Sequence, residues 1–83
     1  MAWQYTAMAV VVVEYQFESA PAEDALHRLE HCLLVREVQR VASYRSRDGL
    51  RQIGVFEAAD AESVREAHRS SAFAFAACWN ADS

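Results

Sequence analysis

The chain has no lysine; all eight of its basic residues are arginine. Asp and Glu total 12, so the net charge is −4, and no basic patch stands out. That balance disfavours nucleic acid as a partner, because such binding needs a clustered cationic surface. The missing lysine, beside an excess of alanine, reads as the coding bias of a GC-rich bacterium and carries no chemistry. Cysteine is scarce too. Cys32 and Cys78 share no C-x-x-C spacing, which excludes a disulfide framework, a zinc ribbon and a dithiol redox motif. Two small buried or half-buried thiols suit a reducing cytosol, and a cytoplasmic location is expected. Long apolar runs are absent. "AMAVVVV" ends at Glu14, too soon to span a bilayer, and has neither a basic start nor a cleavage site. No membrane partner is expected. Gly-rich phosphate loops, nucleophile elbows and Cys/His dyads are also missing.

What remains is one small domain of 83 residues, 53% of them hydrophobic, with alanine prominent and alkyl core formers few. Alanine packs closely but supplies little area to bury, so self-association is the natural remedy. Residues 1–7 read as a loose leader, with Met8 an alternative start.

Along the chain, "AVVVVEYQF" (9–17) is β-branched and aromatic, a strand. Its four consecutive valines cannot share one side, so both faces are expected to be covered. "ESAPAEDALHRLEHCLLV" (18–35) reads as a helix capped by Ser19 or Ala20, with Pro21 in its first turn. "EVQRVASYR" (37–45) and "LRQIGVFEA" (50–58) are strands joined by a turn at Asp48-Gly49. Asp60 caps a second helix over 61–71, and "AFAFAACW" (72–79) closes the pattern as a fourth strand. Within it Phe73, Phe75 and Trp79 alternate and are expected to share one face. The order β-α-β-β-α-β is that of the ferredoxin-like α+β fold, a four-stranded antiparallel sheet with both helices on one face. The other face is left bare, which marks an interface.

Candidate site residues follow from helical spacing. His27 and His31 stand four apart, so their rings stack on one face and form a potential ligand pair for a divalent ion. The apolar stripe Ala22, Leu26, Leu29 and Leu33 lies roughly opposite, which turns the pair outward. On the second helix, Val64, Ala67 and Ser71 form the inner stripe and His68 lies at its edge, leaning towards the sheet. A neutral imidazole there suits metal coordination or proton transfer near neutral pH. Its companions are sought among strand residues, first Tyr44 as a catalytic group and Glu14 as a metal ligand, then Tyr15 and Gln16.

The stretch over 37–79 resembles a small bacterial family named after an actinobacterial nickel-binding protein. The likeness rests on Ser43-Tyr44, Asp48-Gly49, Phe56-Glu57-Ala58, Asp60 and Val64-Arg65-Glu66-Ala67. It implies a homodimer whose two sheets face each other as a dimeric α+β barrel, and nickel or another divalent metal as cofactor, with no organic cofactor. Two departures stand out. The family pattern Ala-Gly-x-Pro-Phe-Asp is here Ser71 to Ala76, without its proline and acid, and Gly54 stands where members often carry a cysteine or another potential ligand. The expected function is a homodimeric protein that binds a divalent ion or a small ligand. The alternatives are a small-molecule isomerase, cyclase or cofactor-free oxygenase with a pocket around His68 between helices and sheet, and a purely structural module.

Overall fold

The computed structural model describes residues 8–81. The expected leader, 1–7, lies outside the described residues. Six elements follow in the expected order: β1 (Ala9–Gln16), α1 (Glu23–Val35), β2 (Gln39–Arg45), β3 (Arg51–Ala58), α2 (Ala61–Ser70) and β4 (Ala77–Asn80). The sheet order is β2-β3-β1-β4, with every neighbouring pair antiparallel. This is the ferredoxin-like α+β arrangement.

Register assigns the faces. Val13 on β1 lies opposite Gly54 on β3 and Cys78 on β4, and Val11 opposite Phe56. Cross-strand partners share a face, and alternate residues switch it. The face carrying Val11, Val13, Tyr15, Phe56 and Ala58 packs against Leu29 and Leu33 of α1 and Val64 and Ala67 of α2. Both helices therefore cover one side. The opposite side carries Val10, Val12, Glu14, Tyr44, Ile53, Val55 and Trp79. Of the four valines, Val11 and Val13 are fully buried while Val10 stays 37% exposed, so one chain covers a single face of β1.

Element ends depart from the sequence reading where the chain turns. Helix α1 starts at Glu23, with Ala22 at its N-cap and no side-chain cap, rather than at Ser19 or Ala20. Ala22 is itself extended (φ −67°, ψ 149°), so helical backbone begins only at Glu23. Asp60 caps α2 as expected, accepting from the Ser63 amide at 2.8 Å. The β2–β3 turn closes with the Gly49 amide donating to the Ser46 carbonyl, Gly49 having φ 75°.

Both helices end alike. The Glu37 amide donates to the Leu34 carbonyl and the Val38 amide to the Leu33 carbonyl. In α2 the Ala72 amide donates to Arg69 and the Phe73 amide to His68. This paired closure needs a left-handed residue just past the cap, usually glycine. Here Glu37 (φ 58°) and Ala72 (φ 57°) occupy it. That closure delays β2 to Gln39 and β4 to Ala77. The expected strand over 72–79 is thus half loop, and its alternation does not give one face: Phe73 is buried, Phe75 half-buried, and Trp79 sits 43% exposed on the open side.

Left-handed backbone costs an L-residue about 1 kcal/mol more than glycine. Ala72→Gly is therefore expected to stabilise the chain by about 1 kcal/mol in urea unfolding. A loss of stability would show that Ala72 does not hold the left-handed conformation.

Candidate functional site

His68 is 1% exposed and sits between α2 and the sheet. Its Nδ1 lies 2.7 Å from the Val64 carbonyl oxygen, one turn back on the same helix. A carbonyl only accepts, so Nδ1 carries the proton and donates. In the neutral ring Nε2 is then an acceptor. Tyr15 Oη lies 2.6 Å from Nε2 and donates to it. Both ring nitrogens are thus engaged, and Tyr15 is the strand companion of His68.

Tyr44 and Glu14, the companions expected first, lie on the other side of the sheet. The reason is parity. Tyr15 follows Val11 and Val13 at steps of two, whereas Glu14 pairs with Ile53, and Tyr44 pairs with the same Ile53 from β2. Sequence reasoning named Tyr15 only as a secondary companion. The inner parity of Val11 and Val13 is the signal that marks it out once register is known.

Aromatic rings close around the pair. The His68 ring centroid lies 5.3 Å from that of Phe75, 6.0 Å from Phe56 and 6.2 Å from Phe73, each edge to face. Tyr15 stacks on Phe17 at 5.8 Å and meets Phe73 edge-on at 5.6 Å. Gly54 makes room for this cluster. A Cβ there would stand 2.8 Å from Cε2 of Phe56 and 3.5 Å from Cε2 of Tyr15, and a cysteine at this position would displace the Phe56 ring. Arg40, paired with Glu30, lies over the Phe56 ring with its guanidinium 5.4 Å from the ring centroid.

Burial sets the electrostatics. It holds the His68 imidazole below its ordinary value of 6.5; the Val64 carbonyl opposes this, and the Arg40 charge adds to it. Burial also raises the Tyr15 phenol above its ordinary value of 10.0. Both ring nitrogens are engaged within the chain, so the pair is a buried bond between two neutral groups.

The remaining candidates are dispersed. His27 and His31 are exposed and line a shallow groove between the helices, of about 380 Å³, with Arg28, Cys32, Ser70 and Ser71. Glu14 and Tyr44 share a hollow of about 310 Å³ at the hairpin end of the open face, with Arg45, Arg51 and Ile53. His68 borders a third depression of about 330 Å³ beneath Phe73 and Phe75. Among the described residues no three His, Cys, Asp or Glu side chains converge to hold a metal ion. The described residues of one chain thus do not form a metal cage by themselves, and His68, Glu14 and the His27–His31 pair stand in three separate places. Cys32 and Cys78 are both free thiols. No helix among the described residues is long and apolar enough to cross a membrane.

Two outcomes follow from the buried pair. Tyr15→Phe leaves Nε2 of His68 unpaired in the core and is expected to cost about 1–3 kcal/mol by urea unfolding. An unchanged midpoint would remove the bond from the account. With its folded value depressed, His68 binds a proton more readily when unfolded. Its contribution is whole above 6.5 and is lost as the pH falls below that value. Thermal melts across that interval should show the decline, and His68→Gln should flatten it. The exposed pair behaves otherwise. Replacing His27 and His31 together by alanine should leave stability within about 0.5 kcal/mol. Nickel binding measured by calorimetry should hardly change, and a large loss would make the groove a metal site.

No family model and no curated protein matches the chain. Among solved structures, the crystal structure of SCO4226 from Streptomyces coelicolor A3(2) is similar, with a TM-score of 0.65 at 14% sequence identity, covering 88% of this chain and 95% of that one. At that identity the likeness concerns the fold alone.

Proposed function

We propose that the chain is a cytoplasmic homodimer of the nickel-binding-like type, closed sheet to sheet as an α+β barrel, that binds a small ligand beside the joined faces. The observation that carries this reading is the bare side of the sheet. Val10 is 37% exposed and Trp79 43%, with Val12 and Val55 half-buried among them, while Ile53 and Tyr44 lie beyond this patch at the hairpin end. A contiguous apolar face of this kind is unusual on a monomer. A twofold axis covers it with its own copy, and the small core of one chain gains the apolar burial it lacks. The two free thiols support a reducing compartment.

A small organic ligand is favoured over a resident divalent ion, because the potential metal ligands stand in three separate places. It is also favoured over proton-transfer catalysis at His68, whose two nitrogens are taken by Val64 and Tyr15.

Light scattering at micromolar concentration should give twice the 9.3 kDa chain mass. Trp79→Asp places a charge on the open side and should halve that mass while circular dichroism stays native. A wild-type chain that weighs 9.3 kDa at that concentration removes the barrel.

A further inference from the structure

Arginine is unevenly satisfied in this protein. Arg28, Arg36, Arg40, Arg65 and Arg69 each donate to a carboxylate, hydroxyl or carbonyl. The guanidinium groups of Arg45, Arg47 and Arg51 have no hydrogen-bond partner among the described residues. All three belong to the β2–β3 hairpin, where Asp48 is the one carboxylate between Arg45 and Arg51. An acidic chain thus carries a cationic tip, and the tip adjoins the hollow on the open face. Arg45 and Arg51 line that hollow together with Ile53, Tyr44 and Glu14. The nearest counter-charge to Arg51 is Glu14, at 3.7 Å, too far for a direct hydrogen bond. Arg51 and Tyr44 are largely exposed, at 68% of the side chain and 65% of the residue.

These groups define a ligand. Ile53 and the Tyr44 ring offer a flat apolar wall. Arg51 offers a planar fork of donors, which matches a carboxylate in two parallel hydrogen bonds. Glu14, beside the fork, repels a dianion and accepts from a neutral donor such as a hydroxyl. We propose that the hollow binds a small aromatic carboxylate, its ring on Tyr44 and Ile53, its carboxylate on Arg51, and a ring hydroxyl directed to Glu14. This rests on the preceding reading of the chain as a ligand-binding dimer and names the ligand class. The size suits it: about 310 Å³ holds one benzoate-sized molecule.

The test is calorimetric titration of the full chain with 4-hydroxybenzoate, benzoate and phenyl phosphate, with light scattering on the same samples. One 4-hydroxybenzoate should bind per chain with a Kd on the order of millimolar, benzoate more weakly, and phenyl phosphate most weakly. Arg51→Gln should weaken 4-hydroxybenzoate about tenfold, as for loss of a hydrogen bond to a charged group. Glu14→Gln should abolish the preference for 4-hydroxybenzoate over benzoate. Arg47→Gln, on the same hairpin but outside the hollow, should leave affinity unchanged. Equal losses at Arg47 and Arg51 would mean diffuse charge attraction and overturn the site, as would a preference for phenyl phosphate or no saturable binding. The two readings separate cleanly. A dimer that binds none of the three probes removes the ligand assignment alone, and a monomer that binds with the stated Arg51 dependence removes the dimer alone.

Discussion

The hydrogen bond from Tyr15 to His68 is the constraint around which the helix side of this protein is built. It joins the central strand to the second helix across 53 residues of sequence, and both groups are buried. A buried histidine must have its nitrogens satisfied or leave a costly polar orphan. Here Val64 takes one proton and Tyr15 supplies another, so the ring stays neutral in an apolar surround. The neighbouring rings follow from it. Phe73 reaches the pair because the left-handed Ala72 ends α2 just above His68, and Phe56 reaches it because Gly54 has no side chain. The histidine that the sequence offers as the best reactive group is thereby consumed by the fold.

That displacement moves attention to the other side of the same strand. Alternation gives β1 two roles. Val11, Val13 and Tyr15 build the core, while Val10, Val12 and Glu14 face outward beside Ile53 and Tyr44. A strand of four valines makes sense if both sides are to be covered, and one chain supplies cover for one side only. Arg45 and Arg51 of the hairpin stand at the edge of that open side. The core is therefore closed by its own hydrogen bonds, and the features that suit binding lie on the surface it leaves bare.

Much of the fold was legible in the residues, and the reasons are specific. Consecutive β-branched residues mark β1, the Asp48-Gly49 pair marks the hairpin, and Asp60 caps α2 through the Ser63 amide. The inner stripe Val64, Ala67, Ser71 turned His68 inward, as found. Parity was not legible. Whether Tyr15 or Glu14 meets His68 depends on the register of Val13 against Gly54, which is a tertiary fact. The run "AFAF" misled because alternation of apolar residues looks the same in a strand and in a loop that caps a helix end. The hairpin arginines were invisible as a site because nothing in their spacing tells which arginines find partners elsewhere.

The protonation of His68 is the most direct probe of the buried Tyr15–His68 bond. Nitrogen magnetic resonance of its imidazole should show Nδ1 protonated, Nε2 bare, and a midpoint of protonation below the ordinary value of 6.5. A ring that carries its proton on Nε2, or that titrates at 6.5 like an exposed histidine, would contradict the buried Tyr15–His68 bond.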